Sequence, residues 1–268
     1  MMVTNIITIY CICEDFFKEI NYKDNKQTEV KTSEILTIAL TAMKFFGGNY
    51  KKSYLFFKSH NYFKKYLSYS RFIRRLNSID KDILNLLFAI FARSFKESNK
   101  NNEYIIDSFP VPVCCNIRIK RCKIYNEKCY RGYSASKKEF FYGIKVHMLV
   151  TEDGKPVEFT ITPGSVNDLK AAKTFTFNLL KDSNIYADKG YNDYEFENYL
   201  KKERKINLLP QRKSNSKKPN KYKPKIRKRI ESVFSSIVAM FPNRIHAVTR
   251  NGFELKVILF ICLYYSFF

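Results

Sequence analysis

The chain has 268 residues, 45% of them apolar, which excludes wholesale disorder and leaves room for one catalytic domain plus a smaller accessory one. Its 48 Lys and Arg against 25 Asp and Glu give a formal net charge of +23; abundant Lys, Asn, Ile, Phe and Tyr, residues with AT-rich codons, point to a base bias that accounts for part of the lysine excess, but the basic residues are clustered, which favours a polyanionic partner. Seven cysteines, an odd number with no secretory signal in Met1 to Tyr10, argue against a disulfide scaffold, and the apolar run Val257 to Phe268 is shorter than the roughly 20 residues that span a bilayer, so a soluble cytoplasmic protein is expected.

The first ~100 residues carry helical periodicity. Thr32 or Ser33 caps a helix with Ile35, Ile38, Ala39, Ala42, Met43 and Phe46 inward, stopped by Gly47-Gly48. A short helix fits Tyr54 to Lys58. Ser68 or Ser70 caps another through Ile79, from whose first turns Arg71, Arg74 and Arg75 project, and Asp80 starts a fourth. The polar stretch Lys96 to Glu103 reads as a linker, dividing a helical region 1–100 from a second domain 101–268.

Beyond the linker the pattern becomes mixed. Tyr104 to Asp107 is a short buried strand. Tyr142, Ile144, Val146, Met148 and Val150 alternate along a second, and Asp153-Gly154 makes a hairpin turn into a third strand with Val157, Phe159 and Ile161. Asn167 or Asp168 caps a helix to about Lys181. Ile185 to Asp188 is a strand, Tyr194 to Lys202 a helix, Ile206 to Leu209 a strand, and Lys225 to Phe241 a final long helix with Pro224 in its first turn. This α/β (α+β) succession is the order of a ribonuclease-H-like domain, a central mixed sheet between helices, preceded by the helical N-terminal domain.

Three acids stand out against that order: Asp107 and Asp188 at strand ends, and Glu231 on the last helix. In such a sheet the first and fourth strands are neighbours, so the two Asp stand side by side and Glu231 reaches across to them. Phosphodiester chemistry needs an activated attacking oxygen and a stabilised leaving oxygen, which two Mg²⁺ ions roughly 4 Å apart provide, and Mg²⁺ takes hard oxygen ligands. Taken singly, each acid is more often a turn, cap or surface residue.

Taken together with their neighbours they are not. Ile105-Ile106-Asp107-Ser108-Phe109-Pro110, Phe141-Tyr142-Gly143-Ile144-Lys145-Val146-His147, Thr162-Pro163-Gly164-Ser165-Val166-Asn167-Asp168, Asp188-Lys189-Gly190-Tyr191 and Arg227-x-x-x-Glu231 resemble the DDE transposases of bacterial insertion sequences, most closely the insertion-sequence 982 family. The resemblance covers Tyr104 to about Ile261. It implies that Asp107, Asp188 and Glu231 are the catalytic, metal-binding triad for two Mg²⁺ ions, with Mn²⁺ as substitute. It also implies that the partners are the element's terminal inverted repeats and target DNA, bound as double strands by a homodimer near the bacterial nucleoid. Pro224 and Val238 stand where the wider group carries Tyr and Lys, so the third motif is incomplete.

Further candidates surround the triad. Lys189 is placed to touch a phosphate, Gly190 to supply a turn that a Cβ would hinder, and Tyr191 to complete that motif behind the ligands. Arg227 lies one turn before Glu231, where it orients that carboxylate or holds a phosphate. His147 is a supporting residue rather than a catalytic one. Asn167-Asp168 reads chiefly as a helix cap. DNA contacts are expected from Arg71, Arg74 and Arg75 in a helix-turn-helix-like bundle and from the basic loop Arg212, Lys213, Lys217 and Lys218. Cys114, Cys115, Cys122 and Cys129 lack the paired spacing of structural zinc and read as small buried thiols. The competing functions are a stand-alone ribonuclease-H-like nuclease and a non-catalytic, decayed DNA-binding protein.

Overall fold

The computed structural model describes residues 2–134, 138–212, 214, 216, 218–219, 224–242 and 244–265, with backbone alone at 224–227, 230, 264 and 265. The chain forms two compact units, residues 1–88 with 240–268, and residues 89–239.

In the first unit, α1 (Met2–Glu19) buries Ile6, Ile9, Cys13, Phe16 and Phe17, a stripe at helical spacing. Against it packs α2 (Thr32–Phe45), which is buried on nearly every face from Thr32 to Met43 and is the central helix of the bundle. The helix α3 (Tyr50–Ser59) is capped by Asn49, and α4 (Tyr69–Asn77) by Ser68, whose side chains accept from Lys52 N and Arg71 N. The helix α5 (Lys81–Ser98) starts here and runs into the stretch expected as linker.

The last helix, α9 (Arg250–Tyr265), belongs to this unit, packing against α2 and α4. The expected split at residue 100, with everything after it in one domain, therefore differs from the observed grouping. The reason is that α9 is buried from Leu255 to Leu263 and packs on α2 and α4 of this unit. Its buried Lys256 donates to the carbonyls of Gly48 and His246 at 2.9 and 2.7 Å.

In the second unit, β1 (Glu103–Pro112) lies at the centre of the sheet. It pairs antiparallel with β3 (Glu139–Thr151) and parallel with β5 (Asn184–Ala187), which pairs parallel with β6 (Asn207–Pro210). On the far edge of β3 lie β2 (Arg131–Ser134) and then β4 (Pro156–Pro163), both antiparallel to it. Setting aside the short β2, the order β4-β3-β1-β5-β6 is that of a ribonuclease-H-like sheet. Tyr104, Ile105 and Ile106 are all fully buried, as a strand covered on both faces requires. The β3–β4 hairpin turns at Gly154, with φ +88°, as its Asp-Gly sequence anticipates.

Three local expectations are corrected. Asp107 is not at the end of β1, which continues through Pro110 and Pro112. Those prolines are tolerated because β5 pairs with β1 only as far as Ile106, so the strand has an open edge beyond it. The helix expected to reach Lys181 is α6 (Asp168–Ala172) only. Glu158 on β4 accepts from the amides of Thr176 and Phe177, and Phe177 takes φ +45°, both incompatible with continued helix. The four loop cysteines are not buried: Cys115 and Cys129 are exposed, Cys114 and Cys122 intermediate. The helix α7 (Tyr194–Tyr199) continues as a wider turn, Leu200–Arg204, and stops at left-handed Lys205. The helix α8 (Pro224–Ala239) packs on β1, with Phe234 edge-on to Phe109 at 6.2 Å.

The strand β2, not anticipated, is held against the body by absence of side chain. A Cβ on Gly132 would lie 2.3 Å from the Gly164 carbonyl oxygen and 2.5 Å from the Phe141 ring. Gly132→Ala is expected to cost about 3 kcal/mol, read as a lower urea midpoint, because backbone rather than a flexible side chain must yield.

Candidate active site

The parallel register that pairs Ile106 with Ala187 carries Asp107 and Asp188 side by side, one residue beyond the last pair. Neighbouring strands lie ~4.8 Å apart, and at this point β5 has ended, so the two carboxylates stand where the sheet opens. Asp188 is exposed and caps the short turn Lys189–Tyr191, accepting from Gly190 N at 3.2 Å. Glu231 is exposed on α8, the helix packed on β1.

Asp107 keeps some solvent access, yet protein encloses it closely. Burial first, then the charges of Asp168, Asp188 and Glu231, push its carboxyl up to about 7, against one opposing hydrogen bond from Ser108 N. The three expected acids thus share one electrostatic field, and a fourth joins them.

That fourth is Asp168. Asn167 is the cap of α6, accepting from Lys170 N at 2.7 Å, which frees Asp168 for other contacts. Its Oδ1 accepts from Ser108 Oγ at 2.8 Å and from Lys145 Nζ at 3.2 Å, and lies 3.6 Å from His147 Nδ1. His147 is fully buried, bonded through Nε2 to Thr162 Oγ1 at 2.9 Å. Burial, opposed by Asp168 and assisted by Lys145, lowers its pKa to about 4, so the ring is neutral at neutral pH. Tyr191 is buried beneath the same cluster, its hydroxyl without a hydrogen-bond partner and its pKa driven well up by burial, then by Asp168, Asp107 and Asp188. The signal for Asp168 lay in Lys145-x-His147 on one strand and Thr162 on the next, alternating onto one face.

Gly190 requires a correction. It has no positive φ, and a Cβ there would meet Asp168 Oδ2 at 3.4 Å, an ordinary contact, so its turn is open to other residues. Lys189 is exposed beside Asp188. Arg71 and Arg74 are exposed on α4, whereas Arg75 is drawn into the bundle, bonded to Asp24 at 3.0 Å, to Thr32 Oγ1 and to the Val30 carbonyl. Arg212 is engaged by Glu197 and Asn192, and Lys218 also reaches Glu197. Lys213, Lys217 and the Arg227 side chain lie outside the described residues.

Among the described residues no group of three or more His, Cys, Asp and Glu side chains is gathered closely enough to enclose a metal ion. The donor set nonetheless suits one: all four acids offer hard oxygen, and Asp107, raised chiefly by burial, also feels the charges of Asp168, Asp188 and Glu231, which a divalent cation would offset. No described helix is long and apolar enough to cross a membrane.

No curated protein matches the chain. One solved structure similar to it is a cryo-EM structure of a piggyBac transposase synaptic complex with hairpin DNA, at a TM-score of 0.46 and 11% identity, covering 99% of this chain and 74% of that one. The family model described as a transposase DDE domain matches residues 97–242, which include all four acids. That match spans more than half of the sequence, and the chain belongs to the transposase DDE domain family.

Proposed function

We propose that the chain is a DNA transposase of the insertion-sequence 982 kind from a bacterial element, with Asp107, Asp188 and Glu231 as catalytic, metal-holding residues. The observation that supports this most is the half-enclosed Asp107 at the point where β1 and β5 part, its carboxyl raised first by burial and then by the charges of Asp168, Asp188 and Glu231. Two Mg²⁺ ions bound there, or Mn²⁺ in their place, would supply activation of the attacking oxygen and stabilisation of the leaving one. Asp107, fixed by the sheet, and Asp188, at a strand end, offer the rigid side of the site, and Glu231 closes it from α8. Asp168, held by Ser108 and Lys145, stands behind Asp107. In cleavage a water oxygen bonds to phosphorus as the bond to the 3′-oxygen breaks, leaving a 3′-hydroxyl. In joining, that hydroxyl attacks a target phosphorus and displaces the target's own 3′-oxygen. No covalent protein–DNA intermediate is needed. Arg71 and Arg74 on α4 and Lys189 by the site are the proposed duplex contacts, with two copies of the chain on the DNA.

The test uses the full chain, Mg²⁺, a duplex bearing the element's terminal inverted repeats, and a supercoiled target plasmid. Cleavage at the repeat end and joining of pre-cut 3′-hydroxyl ends are expected. Cleavage without joining would make the chain a nuclease. Binding without either reaction would make it a DNA-binding remnant.

A further inference from the structure

The connection between β1 and β3 does not turn tightly. It runs out through two short 3₁₀ turns, Asn116–Arg121 and Lys128–Tyr130, before returning as β2. On its way it exposes Arg118, Lys120, Arg121, Lys123 and Lys128. At its end, β2 alternates strictly: Gly132 and Ser134 face inward, Arg131 and Tyr133 outward. Tyr133 stands directly opposite Phe140 of β3, with ring centroids 5.1 Å apart, and the Arg131 guanidinium lies 3.9 Å over the Phe140 ring. Tyr133 is 53% exposed and Phe140 47%. Large aromatic surface left in water on both strands of one ribbon is costly to a protein that has no use for it.

The ribbon is also firmly seated. Gly132 rests against the Gly164 carbonyl, Phe141 is buried behind it, and Ser165 donates from both its amide and its hydroxyl to the Cys129 carbonyl. The rings are therefore held in place before any partner arrives, which reduces the entropy lost on binding. Two flat rings with a guanidinium, flanked by a run of exposed cations, have the chemistry of a surface on which bases stack while their phosphates meet positive charge. Bases within a duplex hide their faces, so the fit is to an unpaired strand.

We infer that Arg131, Tyr133 and Phe140 form a stacking platform for unpaired bases of DNA that passes the active site. The inference rests on the proposed action on DNA and adds a site to it. Phe140 precedes by eight residues Met148, the partner of Asp107 in the sheet, so the platform lies about 26 Å along the strand from the acids. Strands parted at a cut end would reach it; the reacting phosphate would not.

The experiment measures binding of the full chain, in EDTA to prevent cleavage, to a fluorescent duplex with and without a single-stranded tail of roughly 12 thymidines. The wild type is expected to bind the tailed duplex about tenfold more tightly. Tyr133→Ala with Phe140→Ala is expected to abolish that preference and leave affinity for the blunt duplex unchanged. Tyr133→Phe with Phe140→Tyr keeps it. Retention of the preference by the double alanine variant overturns the platform, as does a wild type that binds the blunt duplex equally well. Tighter competition by oligouridine than by oligothymidine would assign the surface to RNA instead. Self-association lost in the double alanine variant, with the tail preference intact, would make the patch an interface between copies. A wild type that binds no DNA at all defeats the transposase reading itself, a different result from each of these.

Discussion

Replacing Asp107 with Asn is expected to abolish strand cleavage and, at neutral pH, to make the folded chain more stable. Both effects come from the same surroundings. Burial and the neighbouring acids raise this carboxyl from an ordinary 3.8 to about 7. A carboxyl whose pKa is higher folded than unfolded favours the native state fully below the unfolded value and loses that contribution as pH rises through the folded one. The wild type is therefore expected to lose stability between about pH 4 and pH 7. The loss is bounded at about 4 kcal/mol by the size of the shift, and relaxation around the charge reduces it. Asn is nearly the same size and never ionises. Its variant should lack this pH dependence and melt roughly 5 °C higher at pH 7.5.

Added Mg²⁺ gives the complementary result. It should stabilise the wild type, by about 2.7 kcal/mol at a hundredfold excess over its dissociation constant, and leave Asp107→Asn nearly unmoved. Cleavage by the variant should fall by about 10³-fold or more, with duplex binding intact. A variant that is less stable than wild type at pH 7.5, or one that still cuts, would remove Asp107 from the centre of the site.

The parts of this site that were legible in the sequence are those set by local chemistry. Tyr104-Ile105-Ile106 reads as a doubly buried strand because three adjacent apolar residues suit nothing else so short. Asp153-Gly154 names its own turn. Asp188 follows an apolar run as a cap should, and does cap. Asp168 is not legible from its own neighbourhood in the sequence, because its role comes from contacts with Ser108 and Lys145, 60 and 23 residues away. Locally it reads only as a helix start, the duty that Asn167 performs. The helix α6 is shorter than its sequence suggests for a similar reason: Thr174 to Lys181 is compatible with helix until Glu158, on β4, takes two of its amides. The placement of α9 and the pairing of β2 are likewise decided by partners far along the chain. Charge was the poorest guide. Arg75 and Arg212 look in sequence like the other basic residues around them, and in the structure both are bonded to acids.

Arg212 leads to the second large effect, the removal of Glu197. The two side chains are only 8% and 6% exposed, and they meet through both oxygens, Nη1 to Oε1 at 2.6 Å and Nη2 to Oε2 at 2.8 Å. Lys218 adds a bond to Oε2 at 2.9 Å, and Arg212 a second to Asn192 at 2.8 Å. Burial acts to raise the Glu197 pKa, but the bonds from Arg212 and Lys218 outweigh it and hold the carboxyl below its usual value. Its contribution is thus present above the ordinary glutamate pKa and lost as pH falls below it. Glu197→Ala leaves a buried guanidinium without its counter-ion, and about 3–5 kcal/mol of destabilisation is expected in urea unfolding at pH 7. Most of that is the penalty of the orphaned charge. Glu197→Leu with Arg212→Met, which removes both charges and keeps the volume, should therefore recover most of the loss and also lack the acid sensitivity. The same pair of variants tests Arg212 as a DNA contact. Bonded to Glu197 and Asn192, its guanidinium ties the segment after β6 to α7, and the double variant is expected to bind duplex as the wild type does. If stability returns and duplex affinity does not, Arg212 holds DNA as well as Glu197.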